Sequence, residues 1–262
     1  MASVRPPAVA GMFYPGTAAA LNGTVRDLCA RAPAHPGEQR PWAVIAPHAG
    51  YQYSGATAAE ALSLLAPFAG DIRRVLLLGP THRVPVSGMA VPTVDSFDLP
   101  SGRIALDKRA LDQVLQHPGV MASDLAHAHE HSLEVHLPFL QHLIGDFDLI
   151  PVVVGDAEPA AVAGVIESFL DDDHTQVVVS SDLSHFHDYR TARSLDAGTS
   201  AAIEALSTNL TGEQACGCRA INGLLLAARR RRFAAHLISQ CNSGDTAGDK
   251  SRVVGYGGYS VT

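Results

Sequence analysis

Two cysteines separated by one glycine, Cys216 and Cys218 in the stretch EQACGCRAI, are side chains that could do chemistry. Such a pair could form a disulfide, act as a redox couple, supply a metal ligand or lie inert in the core. A disulfide between cysteines two positions apart would be strained, and four cysteines in 262 residues are not typical of a small disulfide-rich secreted domain. The stretch alone leaves the other three alternatives open.

Histidines supply the second group of reactive side chains, and the chain has 13 of them. His48 follows the apolar run WAVIAP, His82 follows VLLLGPT, and Asp182 and His185 follow QVVVSS. The carboxyl ends of the strands of an open α/β sheet meet at the edge where ligands bind, so these side chains are expected to converge. Imidazoles held at strand ends predict a site for a divalent transition metal.

A third group lies in the stretch HAHEHSLEVHLPFLQHL, which we predict to be one helical segment. Glu130 and Glu134 share a face of that helix, and Pro138 marks a kink or a helix start. The spacing differs from that of a metalloprotease zinc helix, because no H-E-x-x-H occurs. Ligating histidines need carboxylate or carbonyl partners for their second ring nitrogens, and Glu130, Glu134 and Asp182 are the candidates.

The elements that must position these residues are predicted from alternating β-branched apolar runs and Ala/Leu-rich stretches. This alternation is typical of an α/β fold, here expected as one domain over residues 1–262 with a mixed, largely parallel central sheet and helices on both faces. The Gly- and Pro-rich piece 84–106 predicts hairpins or edge strands. The last segment predicts two strands around a polar loop, and Arg229 to Arg232 are expected to end a helix.

Composition limits the partners that the protein can have. Its net charge of −7, from 19 basic and 26 acidic residues, argues against nucleic acid or an anionic membrane as the main partner. Prolines stand near the N-terminus where a signal peptide would carry its apolar run, and no stretch reaches about 18 uninterrupted apolar residues. We therefore expect a soluble, cytoplasmic protein.

Five ordered motifs, APHAGYQYSG, LLGPTH, EHSLEVHLPFL, SSDLSHF and ACGCRAI, together resemble the Memo family over essentially the whole chain. The resemblance implies the fold of the class III extradiol dioxygenases, non-haem iron enzymes whose metal is held by two histidines and a glutamate. In Memo-like proteins a cysteine takes the place of that glutamate. The implied metal ligands are therefore His48, His82 and Cys216, with Fe(II) expected and Zn or Cu as competitors.

The resemblance also implies that His185 matches the acid/base histidine of the dioxygenases, with Asp182 beside it. We expect further contacts with a substrate from Tyr51, Glu134, His136 and Arg219. The chain departs from the family pattern C-G-R-x-P-I, because Cys218 precedes the arginine and Ala220 stands where a proline is usual. Whether Cys216 or Cys218 faces the metal is therefore open.

Three functions fit these features. The first is a metal-dependent oxidoreductase acting on an unknown small molecule or peptide. The second is a binding or adaptor protein that keeps the fold of an enzyme without turnover, since ring cleavage does not follow from a fold alone. The third is an accessory role beside a radical-SAM protein, with which prokaryotic relatives are commonly grouped.

Overall fold

A computed structural model describes residues 3–33 and 39–262 of the chain. The strands are β1 (Val4–Arg5), β2 (Ala43–Ala46), β3 (Arg74–Pro80), β4 (Met89–Val91), β5 (Ser96–Phe97), β6 (Ile104–Ala105), β7 (Val120–Ala122), β8 (Asp148–Val154), β9 (Thr175–Ser180), β10 (His185–His187), β11 (Ala235–Asn242) and β12 (Val253–Val261). The α-helices are α1 (Ala18–Arg31), α2 (Tyr51–Leu62), α3 (Lys108–Val114), α4 (Asp124–Ala128), α5 (Leu137–Ile144), α6 (Pro159–Glu167), α7 (Tyr189–Glu204) and α8 (Cys218–Arg231). Short 3₁₀ helices cover Ser63–Phe68, Glu134–His136 and Ser243–Asp245.

A nine-stranded mixed sheet forms the centre of the described structure, in the order β10-β12-β2-β9-β3-β8-β4-β7 with β11 beside β12. Its middle strands β2, β9, β3 and β8 run parallel, and β12 and β4 flank them antiparallel. Every residue of β2 and β9 is buried. Burial on both faces explains why these strands are continuous apolar runs instead of alternating ones.

Helices cover both faces of this sheet, and the α/β fold class predicted from the sequence is confirmed. Helices α6 and α8 pack against each other, and α8 packs on β3 and β9. Gly223 allows the close approach of these two helices, because a Cβ there would lie 2.4 Å from atoms of Val162. Helix α2 packs on β2, β11 and β12, and α1 contacts both α2 and α5.

The order of the parallel strands brings the predicted polar residues to one edge. Strand β9 lies between β2 and β3, and Ala46 at the end of β2 is paired with Ser180 at the end of β9. His48, His82 and Asp182 each follow the last residue of one of these strands by two positions. Parallel strands present their carboxyl ends at the same edge, so the three side chains start from neighbouring points.

The structure corrects one prediction and agrees with the other local ones. The stretch from His127 to His142 is not a single helix: α4 ends at Ala128, a loop follows, and α5 starts at Leu137 with Pro138 in its first turn. Proline suits a first turn because its missing N–H would have no helical partner there. Strands β4 to β6 lie in the piece 84–106, β11 and β12 close the sheet, and Arg232 ends α8 with φ 60°.

Among the described residues, no helix has the length and the apolar content that crossing a membrane would need.

Candidate metal site

Three imidazoles gather at the carboxyl edge of the sheet. His48 follows β2, His82 follows β3, and His131 lies in the loop after α4. One potential ligand atom from each lies within 4.8 Å of those of the other two, so the three side chains could hold a metal ion. The ring centroids of His48 and His82 are 5.2 Å apart, and those of His82 and His131 are 4.7 Å apart.

The hydroxyl of Ser180, the last residue of β9, fixes the tautomer of His48. Ser180 donates its only proton to the carbonyl oxygen of Ser132 at 2.6 Å. It must therefore accept from the two imidazoles that touch it, His48 Nδ1 at 2.6 Å and His136 Nε2 at 2.8 Å. The proton of the neutral His48 ring is therefore on Nδ1. Its lone pair is on Nε2, where a metal could bind it.

The carboxylate of Glu130 plays the same part for His82. His82 Nδ1 lies 2.9 Å from Glu130 Oε1, which can only accept, so the neutral form of His82 carries its lone pair on Nε2. Glu130 Oε1 also accepts from the backbone N–H groups of His131 and Ser132, both at 2.9 Å. Burial raises the pKa of Glu130, but hydrogen bonds from His82 outweigh it and lower the value to about 2. Glu130 is thus ionised and holds His82 in place. It is one of the three acidic residues that the sequence offered as partners for the histidines.

His131 was not predicted as a ligand, and it differs from the other two histidines in its surroundings. Its Nδ1 is buried without a hydrogen-bond partner in the described chain and lies 3.3 Å from Glu130 Oε1. The ring of Phe13 packs on it with centroids 4.6 Å apart. Burial lowers the pKa of His131 to about 4, so the imidazole is neutral and able to bind a metal. Only its place beside Glu130 in the stretch EHS could have singled it out.

Cys216 is the cysteine that reaches this cluster. Its Sγ lies 3.4 Å from His48 Nε2 and accepts from the backbone N–H of Asp182 at 3.3 Å. Burial raises the pKa of the Cys216 thiol, so its proton is available to the lone pair of His48 Nε2. Cys218 instead starts α8 and is buried in the hydrophobic core. Gly217 lets the loop lie against β9, because a Cβ there would be 2.5 Å from the carbonyl oxygen of Ser180.

Asp182 and His185, the expected acid/base pair, lie beside the cluster. Asp182 Oδ1 accepts from the backbone N–H of His48 at 2.7 Å, and its Oδ2 is 4.0 Å from His48 Nε2. Burial raises the pKa of Asp182 to about 7 and lowers that of His185. Both side chains line a cavity of about 280 Å³ together with His131. The rest of its lining is Phe13, Ala49, Gly50, Tyr53, Ser243, Val254 and Tyr256.

Two of the residues expected to touch a substrate lie apart from this cavity. The hydroxyl of Tyr51 donates to the carbonyl oxygen of Val135 at 2.8 Å, and its ring packs on Phe139. Arg219 forms an ion pair with Asp156 at 2.7 Å on the surface. Tyr51 is therefore engaged in the core and Arg219 at the periphery, and neither lines the cavity.

The other two expected substrate contacts, Glu134 and His136, are fully buried behind the site. Glu134 binds Arg5 at 2.6 Å and accepts from the hydroxyl of Tyr14 at 2.6 Å. His136 is hydrogen-bonded to Ser180, and burial lowers its pKa to about 3. These residues support the site from within. The sequence could not distinguish a buried supporting role from contact with a substrate, because both positions lie in the same histidine-rich stretch.

The donor set fits a first-row transition metal. Nδ1 of His48 is held by Ser180 and Nδ1 of His82 by Glu130, so Nε2 is the ligand atom that the neutral form of each ring offers. Burial, followed by the neighbouring imidazoles, lowers the pKa of His48 well below its ordinary value and keeps the ring neutral. Nitrogen ligands with a thiol nearby suit iron, zinc and copper better than magnesium or calcium.

Known proteins are similar to the chain in sequence and in fold. The family model described as Memo-like protein matches residues 5–260. A MEMO1 family protein of Aquifex aeolicus is 34% identical over 266 residues, covering 97% of each chain. One of Methanopyrus kandleri is 33% identical over 275 residues, covering 96% of each.

A solved structure supports the fold alone. The uncharacterized protein JW3007 of Escherichia coli K12 superposes with a TM-score of 0.51 at 11% identity, over 83% of this chain and 99% of that one. The family model matches nearly all of the sequence and the relatives exceed 30% identity, so the resemblance seen in the five motifs is confirmed. The chain belongs to the Memo family.

Proposed function

We propose that the protein is a metal-dependent oxidoreductase whose iron is held by His48, His82 and Cys216. The observation that carries the proposal is the gathering of His48, His82 and His131, with one potential ligand atom from each within 4.8 Å of the others, beside the thiol of Cys216. Sγ of Cys216 lies 3.4 Å from His48 Nε2. A metal that binds this nitrogen is therefore within reach of the thiol, and His131 offers a further nitrogen.

The protein's own residues would prepare such a site for small-molecule chemistry. Ser180 and Glu130 hold the two imidazoles in the ligating tautomer before any metal arrives. Bound iron would supply one-electron redox chemistry and open coordination positions. Asp182 and His185 line the cavity, and in this proposal they would hold or move a proton of a bound substrate.

The cavity limits the ligand to a small molecule or to one side chain of a peptide. Its volume is about 280 Å³, slightly below the usual range of about 300–1,000 Å³ for ligand sites. Its walls combine the aromatic rings of Phe13, Tyr53 and Tyr256 with polar groups near the metal ligands. We propose a ligand with an apolar body and one polar end that points towards the histidines.

The proposal is tested by loading the protein purified under anaerobic, reducing conditions with Fe(II), and separately with Zn(II). We expect about one metal per chain, because the site offers a single set of converging ligands. His48→Ala and Cys216→Ser should lower the metal content to background. Absorption in the visible range after exposure to oxygen distinguishes iron from zinc, since zinc is silent.

Two matched variants show whether the losses are specific. Cys218→Ala removes the neighbouring thiol and His236→Ala removes an exposed histidine, and both should keep full metal content. Oxygen consumption with iron bound would support an oxidoreductase. Metal content at background in the unaltered protein would reject the proposal and favour a binding or adaptor role.

A further inference from the structure

Arg5, far from the histidines in sequence, is one of the most extensively bound side chains in the described structure. It is 4% exposed. Its Nε donates to the carbonyl oxygen of His127 at 2.7 Å, and its Nη2 donates to the carbonyl oxygen of Glu130 at 2.6 Å. Its Nη1 binds Glu134 Oε2 at 2.6 Å, and the guanidinium lies over the ring of Phe97 at 4.6 Å.

The carboxylate of Glu134 ties the rest of the N-terminal segment to the same place. It accepts from the backbone N–H groups of Ala8 and Val9, at 2.8 Å and 3.0 Å, and from the hydroxyl of Tyr14 at 2.6 Å. Glu134 is itself fully buried. Arg5 and Glu134 thus form a buried pair that joins residues 5–14 to residues 127–134.

The loop held in this way carries two groups of the metal site. Glu130 fixes His82 through its carboxylate, while its own carbonyl oxygen is bound by Arg5. His131 follows directly, and Phe13 from the N-terminal segment packs on its ring. The loop between α4 and the 3₁₀ helix at Glu134–His136 belongs to no strand or helix, so its course depends on these contacts together with the hydrogen bonds of Ser132 to Pro80 and Ser180.

We propose that Arg5 is a positioning residue for the metal site, holding the loop that carries Glu130 and His131 through the carbonyl oxygens of His127, in the last turn of α4, and of Glu130. This inference rests on the proposed metal site, because it concerns the arrangement of that site's ligands. It adds that metal affinity depends on a side chain that touches neither the metal nor its ligand atoms. This role requires the planar guanidinium of Arg5, because its N–H groups reach two carbonyl oxygens and a carboxylate at the same time.

The variant Arg5→Lys separates this role from a purely electrostatic one. Lysine keeps the positive charge beside Glu134, but its point-like ammonium cannot reproduce the fork. If Arg5→Lys does not fold, the double variant Arg5→Met with Glu134→Gln removes both charges together and leaves no unpaired buried ion. Arg5→Lys can keep at most one of the two contacts with the carbonyl oxygens of His127 and Glu130, and the double variant keeps neither.

The test is a competition titration of the full chain with Co(II) or Zn(II) against a chromophoric chelator. Loss of outer groups around a metal site typically costs about 10- to 100-fold in affinity, and we expect a rise in Kd of about 10-fold for Arg5→Lys. Amide hydrogen exchange over residues 127–136 should also become faster in the metal-free variant, because the loop has lost its anchors.

The matched control is Arg74→Met. Arg74 also joins two acidic residues, Asp107 at 3.1 Å and Asp172 at 3.2 Å, but it starts β3 at the opposite end from His82. Arg74→Met should leave the Kd for the metal and the amide hydrogen exchange of residues 127–136 unchanged. Absence of metal binding by the unaltered chain would reject the metal site itself. Binding by the unaltered chain with an equal Kd for the Arg5 variants would overturn the inference and leave the metal site standing.

Discussion

At the scale of single residues, one hydroxyl proton organises the candidate metal site. Ser180 lies at the end of the central strand β9, where its Oγ contacts His48, His136 and the carbonyl oxygen of Ser132. A carbonyl oxygen can only accept, and this forces both imidazoles to act as donors. A serine in a run of apolar strand residues therefore decides which nitrogen of His48 is free for a metal.

Ser180→Ala is predicted to weaken metal binding without removing it. His48 would lose the acceptor that fixes its tautomer, and a loss of about 10-fold in affinity is expected, the lower end for such partners. Two buried imidazole donors would be left unpaired, which costs about 1–3 kcal/mol each in the free energy of unfolding. The chelator competition titration and urea unfolding measure the two effects.

Ser200→Ala is the appropriate control for this substitution. Ser200 is also buried and bonds the hydroxyl of Tyr259 at 2.6 Å, but it lies on α7 away from the three histidines. It should lower stability and leave metal affinity unchanged. Equal affinities for Ser180→Ala and the unaltered protein would show that Ser180 does not direct His48.

At the scale of elements, the strands were predictable and the loops were not. Buried parallel strands are continuous apolar runs, and the residue two positions beyond each run lies at the ligand edge, which gave His48, His82 and Asp182. His131 lies in a loop whose course depends on distant contacts such as Arg5 with the carbonyl oxygen of Glu130. No local pattern encodes those contacts. For the same reason the histidine-rich stretch was mistaken for one helix.

The loop before α8 provides a test at this scale, because it brings Cys216 to the end of β9. Gly217→Ala would place a Cβ 2.5 Å from the carbonyl oxygen of Ser180 and 2.7 Å from Cβ of Ser181. Overpacking of this kind costs about 1–3 kcal/mol, and relief requires the loop to move away from the strand. We predict lower stability and weaker metal binding, because Cys216 would leave His48.

Gly198→Ala controls for the addition of a methyl group. Gly198 lies in α7 with nothing within 4 Å of an added Cβ, and alanine favours a helix. Stability should therefore rise slightly while metal affinity stays the same. Retention of wild-type affinity by Gly217→Ala would show that the close approach of this loop is not needed to place the thiol.

At the scale of the whole molecule, the fold keeps a set of histidines neutral by burial. The pKa is lowered for His48, His131, His136 and His185 around the site, and to about 4 for His127 behind it. An unfolded histidine takes up a proton near pH 6.5, whereas these folded ones do not. Below pH 6.5 these histidines bind more protons in the unfolded state, so their contribution to stability falls as the pH is lowered, while Asp182, whose pKa is raised to about 7, acts in the opposite direction.

His127 gives the clearest measurement, because it is not one of the clustered histidines. Burial lowers its pKa first, and Arg5 lowers it further, against the hydrogen bond to Ala90 and the charges of Asp124 and Glu130. Between pH 7 and pH 5 this histidine alone should remove about 2 kcal/mol from the free energy of unfolding. The loss would be complete only below its folded pKa of about 4.

His127→Gln should remove this contribution, since glutamine can donate to the carbonyl oxygen of Ala90 but does not titrate. Urea unfolding with a chelator present, at pH 7 and pH 5, gives the two free energies for each protein. The difference between the two pH values should be smaller in the variant by about 2 kcal/mol. An identical difference in both proteins would mean that His127 is protonated in the folded state, and that the buried environment around Arg5 does not exclude the charge.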